Sequence, residues 1–289
     1  MVSVSVIVPC YNSEGTLSEC LESLVNQSYD DINQIIVVDN GSTDNSKTIA
    51  NSYPVNTFDY TAIQGSYAAR NFGIKQTNSE LIAFTDADCT PHHDWIAQLV
   101  SCYQSSSADL VGGSVDFNFS TNSTFEIHDA TTSMNNKRLV KERGSSVTAN
   151  LLVRASIFED IGLFPADLRS GGDVKWTRSA VRSGYEITYC ETATIKHPTR
   201  NSIELFKKYY RLGYGEGQKI KNSGNITILK RISISLLPRP FSYIRRDLNF
   251  NNMSASRLTL LQLFFVGWIC RMIQGYGKIN GIKSKVESN

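Results

Sequence analysis

Leu81-Ile82-Ala83-Phe84-Thr85-Asp86-Ala87-Asp88 runs an apolar stretch straight into a pair of carboxylates. Four consecutive apolar residues bounded by polar ones read as a buried strand. Asp86 and Asp88 lie two apart and project together once the strand gives way to a loop. Paired hard oxygen ligands with positions left open suit Mg²⁺ or Mn²⁺ held jointly with a phosphate group. Upstream, Val2–Val8 is a second buried strand ending in Pro9-Cys10-Tyr11-Asn12, and Ile35–Val38 a third ending in Asp39-Asn40-Gly41. Between them, Leu17, Leu21, Leu24 and Val25 mark one face of a helix over Glu14–Asn26. Another helix runs from Gly65-Ser66-Tyr67-Ala68-Ala69-Arg70-Asn71 toward Leu81. Strand–helix–strand repetition implies a mostly parallel sheet with right-handed crossovers. Ligands of such sheets bind outside the carboxyl ends of the strands, where Tyr11, Asp39 and Asp86/Asp88 all fall.

The segments Val-Pro-Cys-Tyr-Asn (8–12), Val-Asp-Asn-Gly-Ser-Thr-Asp (38–44), Ala-Ala-Arg-Asn-Phe-Gly (68–73) and Thr-Asp-Ala-Asp (85–88) stand in a fixed order. In that order and spacing the chain resembles family 2 glycosyltransferases, and the likeness continues through Gly162-Leu-Phe-Pro, Gly171-Gly-Asp173 and His197-Pro. The resemblance implies a GT-A fold, an α/β sandwich with a mostly parallel central sheet, over residues 1–220; the remainder, 221–289, is read from its own composition as a basic, amphipathic helical extension. It also implies an inverting, metal-dependent transfer of a hexose or N-acetylhexosamine from a UDP-sugar, or alternatively a GDP-sugar, to a glycan or lipid-linked acceptor.

Residue by residue, the resemblance gives Pro9, Tyr11 and Asn12 to the nucleotide turn, with the Tyr11 ring for the base. Asp39 matches the acceptor for a uracil N–H, and Glu14 and Arg70 complete the pocket. Asp88 resembles the direct ligand of Mn²⁺ or Mg²⁺, while Asp86, with Ala87 between them, looks like the ribose partner. His197 resembles the histidine that completes the metal or diphosphate site in many relatives. Asp173 corresponds to the general base. Many relatives carry Glu-Asp at that motif and this chain carries Gly172-Asp173, so a supporting carboxylate is missing.

Two other enzyme classes use similar local chemistry. A phosphatase with a nucleophilic aspartate also places Asp-x-Asp at a strand end, but after its first strand, whereas this pair follows at least the third. A nucleotidyltransferase wants a Gly-rich, basic N-terminal loop, and Pro9–Gly15 has one glycine and no basic residue.

The chain has 289 residues, 41% of them hydrophobic, and a formal charge of +2. That total conceals a split: residues 1–195 hold 12 Lys/Arg against 23 Asp/Glu (−11), and residues 196–289 hold 17 against 4 (+13). The basic part lacks the patterns of nucleic-acid modules, so no nucleic-acid partner is expected. Lys230, Arg231, Arg239, Arg245 and Arg246 mix with Leu236, Leu237, Phe241 and Tyr243, as in segments that lie on anionic membranes. The following run, Leu258–Ile273, with Leu260, Leu261, Phe264, Phe265 and Trp268 at helical spacing, fits a core helix, an interfacial helix or a short span. Six cysteines lack C-x-x-C spacing, and the N-terminus enters a strand at once. The expectation is reduced, buried cysteines in a cytoplasmic protein, peripheral on the cytoplasmic face of a membrane.

Overall fold

Val4–Cys10 forms β1, the strand between the two βα halves, in a computed structural model that describes residues 2–168, 170–221, 224–251 and 253–283. There follow α1 Leu17–Val25, β2 Ile32–Asp39, α2 Ser46–Asn51, β3 Asn56–Asp59, α3 Ser66–Ile74, β4 Leu81–Phe84, β5 Thr90–Pro91, α4 Trp95–Ser105 and β6 Leu110–Asn118. Then come α5 Thr124–Thr132, α6 Asn136–Arg143, β7 Leu151–Arg154, α7 Ile157–Ile161, α8 Gly172–Arg182 and β8 Ile187–Pro198. Four helices close the chain: α9 Ser202–Ile220, α10 Asn225–Leu236, α11 Phe241–Phe250 and α12 Arg257–Lys283.

The sheet runs β3-β2-β1-β4-β7-β6-β8-β5. β1 pairs in parallel with both β2 and β4, β2 with β3, and β6 with β8. The β4–β7, β6–β7 and β5–β8 pairings are antiparallel. The sheet is therefore mixed, with its all-parallel half at the N-terminal end. Because β2 and β4 flank β1 on opposite sides, the carboxyl end of β1 is a topological switch point, the place where such sheets open a crevice.

Two compact units are formed, one of Met1–Asn118 with Met134–Pro198, the other of Phe119–Ser133 with Thr199–Asn289. In the first, alternate strand residues feed two cores. Val4, Val6, Val8, Ile35, Val37, Leu81 and Ala83 face Leu17, Leu21, Trp95 and Leu99 of α1 and α4. Ile7, Ile36, Val38, Ile82 and Phe84 face Tyr67 and Ala69 of α3, Phe158 of α7 and Trp176 of α8. A strand covered on both faces is apolar at every position, which explains the unbroken runs in β1, β2 and β4.

One sequence expectation is corrected in this unit. Cys102 on α4 and Cys190 on β8 form a disulfide, while Cys10, Cys20, Cys89 and Cys270 are free and buried. The two sit 88 residues apart in sequence, and only the packing of α4 over β8 brings their Cα atoms to 6.1 Å.

In the second unit α9 and α12 lie side by side and parallel, interlocked through glycines. A Cβ on Gly213, Gly217, Gly277 or Gly281 would fall 2.0–2.3 Å from a backbone carbonyl oxygen of the other helix. Small residues at four-residue spacing permit such backbone approach. Leu263, Val266 and Cys270 of α12 are buried, the last two packing with Leu205 of α9. Where the sequence reading divided the chain at residue 220, the packing puts α9, and α5 from mid-chain, with the C-terminal helices. The stripe expected on α12 also resolves differently. Phe264 stacks on Phe241 at 4.7 Å. Trp268 Nε1 donates to the Leu236 carbonyl at 2.8 Å, and Arg271 donates to the carbonyls of Leu237 and Ile234, satisfying the open C-terminus of α10. The outward face comprises Leu258, Leu261, Phe265, Ile269, Met272 and Tyr276, all exposed.

Candidate active site

The loops after β1 and β2 are tied to one another. Asn12, at φ +49°, donates its amide N–H to Ser42 Oγ at 2.9 Å and accepts from the Thr43 amide at 2.8 Å. Glu14 Oε2 accepts from the Asn45 amide and from its side chain, each at 3.1 Å. Both residues hold the loop pair in shape, Glu14 through one of its two carboxylate oxygens. Pro9 sits in β1 opposite Val38. Tyr11 is 54% exposed, its ring open to solvent.

Asp39 ends β2 and is 4% exposed. Its Oδ2 accepts from the amides of Gly41 and Ser42 at 3.2 and 3.1 Å. Its Oδ1 is buried and has no hydrogen-bond partner among the described residues. A buried acceptor left unmet is costly, so this oxygen has the capacity to take one further donor.

Arg70, on α3, is buried and pairs through Nη2 with Asp86 Oδ1, while its Nε has no partner. Burial pushes the Asp86 carboxyl up, and the Arg70 guanidinium opposes that shift. Ala87 is buried between Asp86 and Asp88, so the two carboxylates stand on one side of the loop, as their spacing predicts. Asp88 keeps 40% of its side chain exposed.

His197, near the end of β8, is 1% exposed. Its Nδ1 lies 2.6 Å from the Pro198 carbonyl oxygen. A carbonyl only accepts, so Nδ1 carries a proton, and in the neutral ring Nε2 presents a lone pair. That Nε2 has no hydrogen-bond partner among the described residues and lies 3.5 Å from Asp88 Oδ2. Cys89 joins them, the candidate ligand atoms of Asp88, Cys89 and His197 lying within 4.8 Å of one another. Burial raises the Cys89 thiol well above its ordinary value, leaving Asp88 and His197 the better ligands for a hard divalent ion. Orphaned nitrogen beside a half-exposed carboxylate fits a metal.

Asp173 lies in the first turn of α8. Tyr67 Oη donates to its Oδ1 at 2.9 Å, the Val174 amide to Oδ1 at 2.8 Å, and the Thr148 amide to Oδ2 at 3.2 Å. The Arg70 guanidinium stands 5.7 Å from the Tyr67 ring centroid. Asp173, Tyr67, Arg70 and Asp86 thus form one run of contacts from α8 to the Asp-x-Asp loop. Tyr67 and Cys89 were not singled out in the sequence. Tyr67 was readable only as a core aromatic of α3, and nothing local marks its hydroxyl.

The glycosyl transferase family 2 model matches residues 5–162. Glycosyltransferase AglE of Haloferax volcanii is 36% identical over 292 residues, an alignment spanning 96% of each chain. The chain belongs to glycosyl transferase family 2 and is a glycosyltransferase. Among solved structures, the mannosyltransferase PcManGT of Pyrobaculum calidifontis, in complex with GDP-Man and Mn²⁺, superposes with a TM-score of 0.57 at 16% identity, over 96% of this chain and 74% of that one. Residues 1–349 of Staphylococcus aureus TarS, in complex with UDP, give 0.56 at 19% identity, over 95% and 89%. The fold is GT-A, as the motif order predicts.

Proposed function

We propose that the chain transfers a hexose or N-acetylhexosamine, with inversion, from a UDP-sugar to a glycan or lipid-linked acceptor. The observation that carries the donor assignment is the buried, unpartnered Oδ1 of Asp39. Uracil presents one ring N–H, which needs one acceptor. Guanine presents a ring N–H beside an amino group, an edge that a carboxylate meets with both oxygens. Here Oδ2 is already taken by Gly41 and Ser42, which favours uracil. Tyr11 supplies an exposed ring for the base, and Arg70 sets Asp86 toward the ribose. The TarS complex with UDP is consistent with this reading, and the PcManGT complex with GDP-Man represents the alternative.

Asp88 and His197 are the residues that would hold Mn²⁺ or Mg²⁺. Such an ion supplies charge neutralisation to the departing diphosphate. Asp173 takes the proton of the acceptor hydroxyl as that oxygen attacks the anomeric carbon. Attack opposite the leaving diphosphate, in one displacement and without an enzyme-bound sugar, inverts the configuration.

For the acceptor side, we read the outer face of α12 as a membrane contact. Leu258, Leu261, Phe265, Ile269, Met272 and Tyr276 recur at three- and four-residue steps over about 27 Å of helix. Exposed Lys230, Arg231, Arg239, Arg245, Arg246 and Arg257 belong to the same unit. α12 is also long and apolar enough to cross a membrane by length and composition. An apolar face with basic neighbours suits an anionic interface, such as the cytoplasmic leaflet, and a lipid-linked acceptor.

The deciding experiment is a screen of UDP-sugars and GDP-mannose for hydrolysis in Mn²⁺, with the anomeric configuration of the released sugar read by proton NMR. UDP-sugar turnover with inversion is expected. Retention, or turnover of GDP-mannose alone, overturns the reading.

A further inference from the structure

Asp173 is held by a partner that the sequence motif does not contain. Tyr67 lies on α3, more than a hundred residues upstream, and its ring is buried against Phe164 at a centroid distance of 6.1 Å. The hydroxyl has two polar contacts: the Gly172 amide donates to it at 2.9 Å, and it stands 2.9 Å from Asp173 Oδ1. The Gly172 amide can only donate and an ionised carboxylate can only accept, so the phenolic proton is directed to Asp173. Burial first, then the Asp173 charge, raises the Tyr67 phenol well above its ordinary value, so it stays a donor throughout the working pH range.

Gly172 makes this contact sterically possible. A Cβ at 172 would stand 2.7, 2.9 and 3.0 Å from the Cε2, Cδ2 and Cζ atoms of the Tyr67 ring. A buried ring wedged between α3 and α8 has nowhere to retreat. Any side chain at 172 would therefore have to displace the Tyr67 ring, and with it the hydroxyl that reaches Asp173.

The donors also distinguish the two carboxylate oxygens. Oδ1 receives Tyr67 and the Val174 amide, which fills its two lone pairs. Oδ2 receives only the Thr148 amide, and so keeps one lone pair open.

We infer that Tyr67 is the positioning residue for the catalytic base, locking Asp173 so that Oδ2 faces the acceptor hydroxyl and takes its proton. This inference rests on the reading of Asp173 as base, and it assigns the support of that carboxylate to a phenol on another helix.

The test compares Tyr67→Phe, Asp173→Asn and the double variant in the full chain, with a UDP-sugar that the wild type hydrolyses. Water then serves as the attacking hydroxyl. Tyr67→Phe keeps the ring and removes only the oxygen. It should lower kcat about 10- to 100-fold, the usual worth of a hydrogen bond to a charged group, with KM for the UDP-sugar and UDP affinity within twofold of wild type. In the Asp173→Asn background the same substitution should cost nothing further, because there is no base left to position. Gly172→Ala reaches the same contact from the other side and should reproduce the kcat defect even where Tyr67→Phe folds poorly. An inactive Asp173→Asn with Tyr67→Phe at wild-type kcat overturns the inference alone, as does an equal loss in both backgrounds. An active Asp173→Asn overturns the base assignment and the inference with it.

Discussion

His197 and Asp88 face one another from β8 and from the loop after β4, with Nε2 3.5 Å from Oδ2. The Pro198 carbonyl takes the Nδ1 proton, so in the neutral ring the nitrogen that meets the carboxylate is a lone pair. A lone pair on buried His197 and the half-exposed Asp88 carboxylate, two electron-rich atoms at that distance, suit a cation held between them. The first prediction follows: UDP should bind tightly only with Mn²⁺ or Mg²⁺, and His197→Ala and Asp88→Ala should each weaken metal-dependent binding at least about tenfold. Isothermal titration with and without EDTA reads this directly, and an affinity indifferent to EDTA would rule the site out.

The base specificity should reside in Asp39. Asp39→Asn replaces one oxygen with an amide that cannot accept, and either leaves a loop amide unmet or removes the free acceptor. UDP affinity should fall about 10- to 100-fold, the worth of a hydrogen bond to a charged group. The wild type should prefer UDP over GDP in a competition titration. Equal affinity for the two would show that Oδ1 does not read the base.

The glycine contacts of α9 and α12 give a paired stability test. Gly213→Ala puts a methyl group 2.0 Å from the Gln274 carbonyl oxygen, whereas Gly215→Ala meets nothing within 4 Å. Overpacking typically costs about 1–3 kcal/mol, and a backbone obstacle sets the upper end. The first variant should melt several degrees lower. The second should melt at or above wild type, because alanine is the better helix former by about 1 kcal/mol. Equal melting points would mean that the helices do not approach this closely.

The second unit should lose stability in mild acid through His128. Burial first, then Arg239, holds this imidazole down to about 4, with Asp129 opposing and Lys208 assisting; Tyr209 Oη lies 3.1 Å from Nε2. The unfolded chain takes up the proton near pH 6.5. Between about 6.5 and 4 the unfolded state binds more protons than the folded one, so stability falls as pH falls through that window, by up to about 3 kcal/mol. Asp129, which burial raises but Lys208 and Arg200 bring down to about 2, adds to the loss only below about pH 5. Urea unfolding at pH 7.5 and pH 5 should show the loss in wild type and a smaller one in His128→Gln. A pH-independent midpoint would contradict the assignment.

The outer face of α12 predicts binding to vesicles containing an anionic lipid. Sedimentation should be strong at low salt and weaker as salt rises, since surface attraction is screened over about 10 Å at 0.1 M. Phe265→Asp with Met272→Asp should abolish it while leaving UDP binding intact. Full-length protein that ignores such vesicles at low salt would make this face a protein contact instead.

Much of the fold was legible along the chain because the relevant periods are short. The doubly covered strands β1, β2 and β4 declare themselves as apolar runs, and the Asp86-Ala87-Asp88 spacing alone places both carboxylates on one side of a strand end. Glu14, by contrast, was read as pocket wall on its position in the motif, and only the neighbouring loop shows that Asn45 engages it. On α12 the helical spacing revealed apolar stripes but not which one faces outward, because that depends on α9 and on the α10 carbonyls that Trp268 and Arg271 satisfy.

By itself, then, the sequence determined the strand–helix order, the residues at the carboxyl ends of the strands and the family to which they belong, since backbone geometry converts local spacing directly into facing. Only the tertiary structure decided what meets across distance: the lone pair of His197 turned toward Asp88, the Tyr67 hydroxyl on Asp173 over Gly172, and the Cys102–Cys190 bridge. Such pairs are set by how packed layers come to rest on one another, and no periodicity along the chain records that registration.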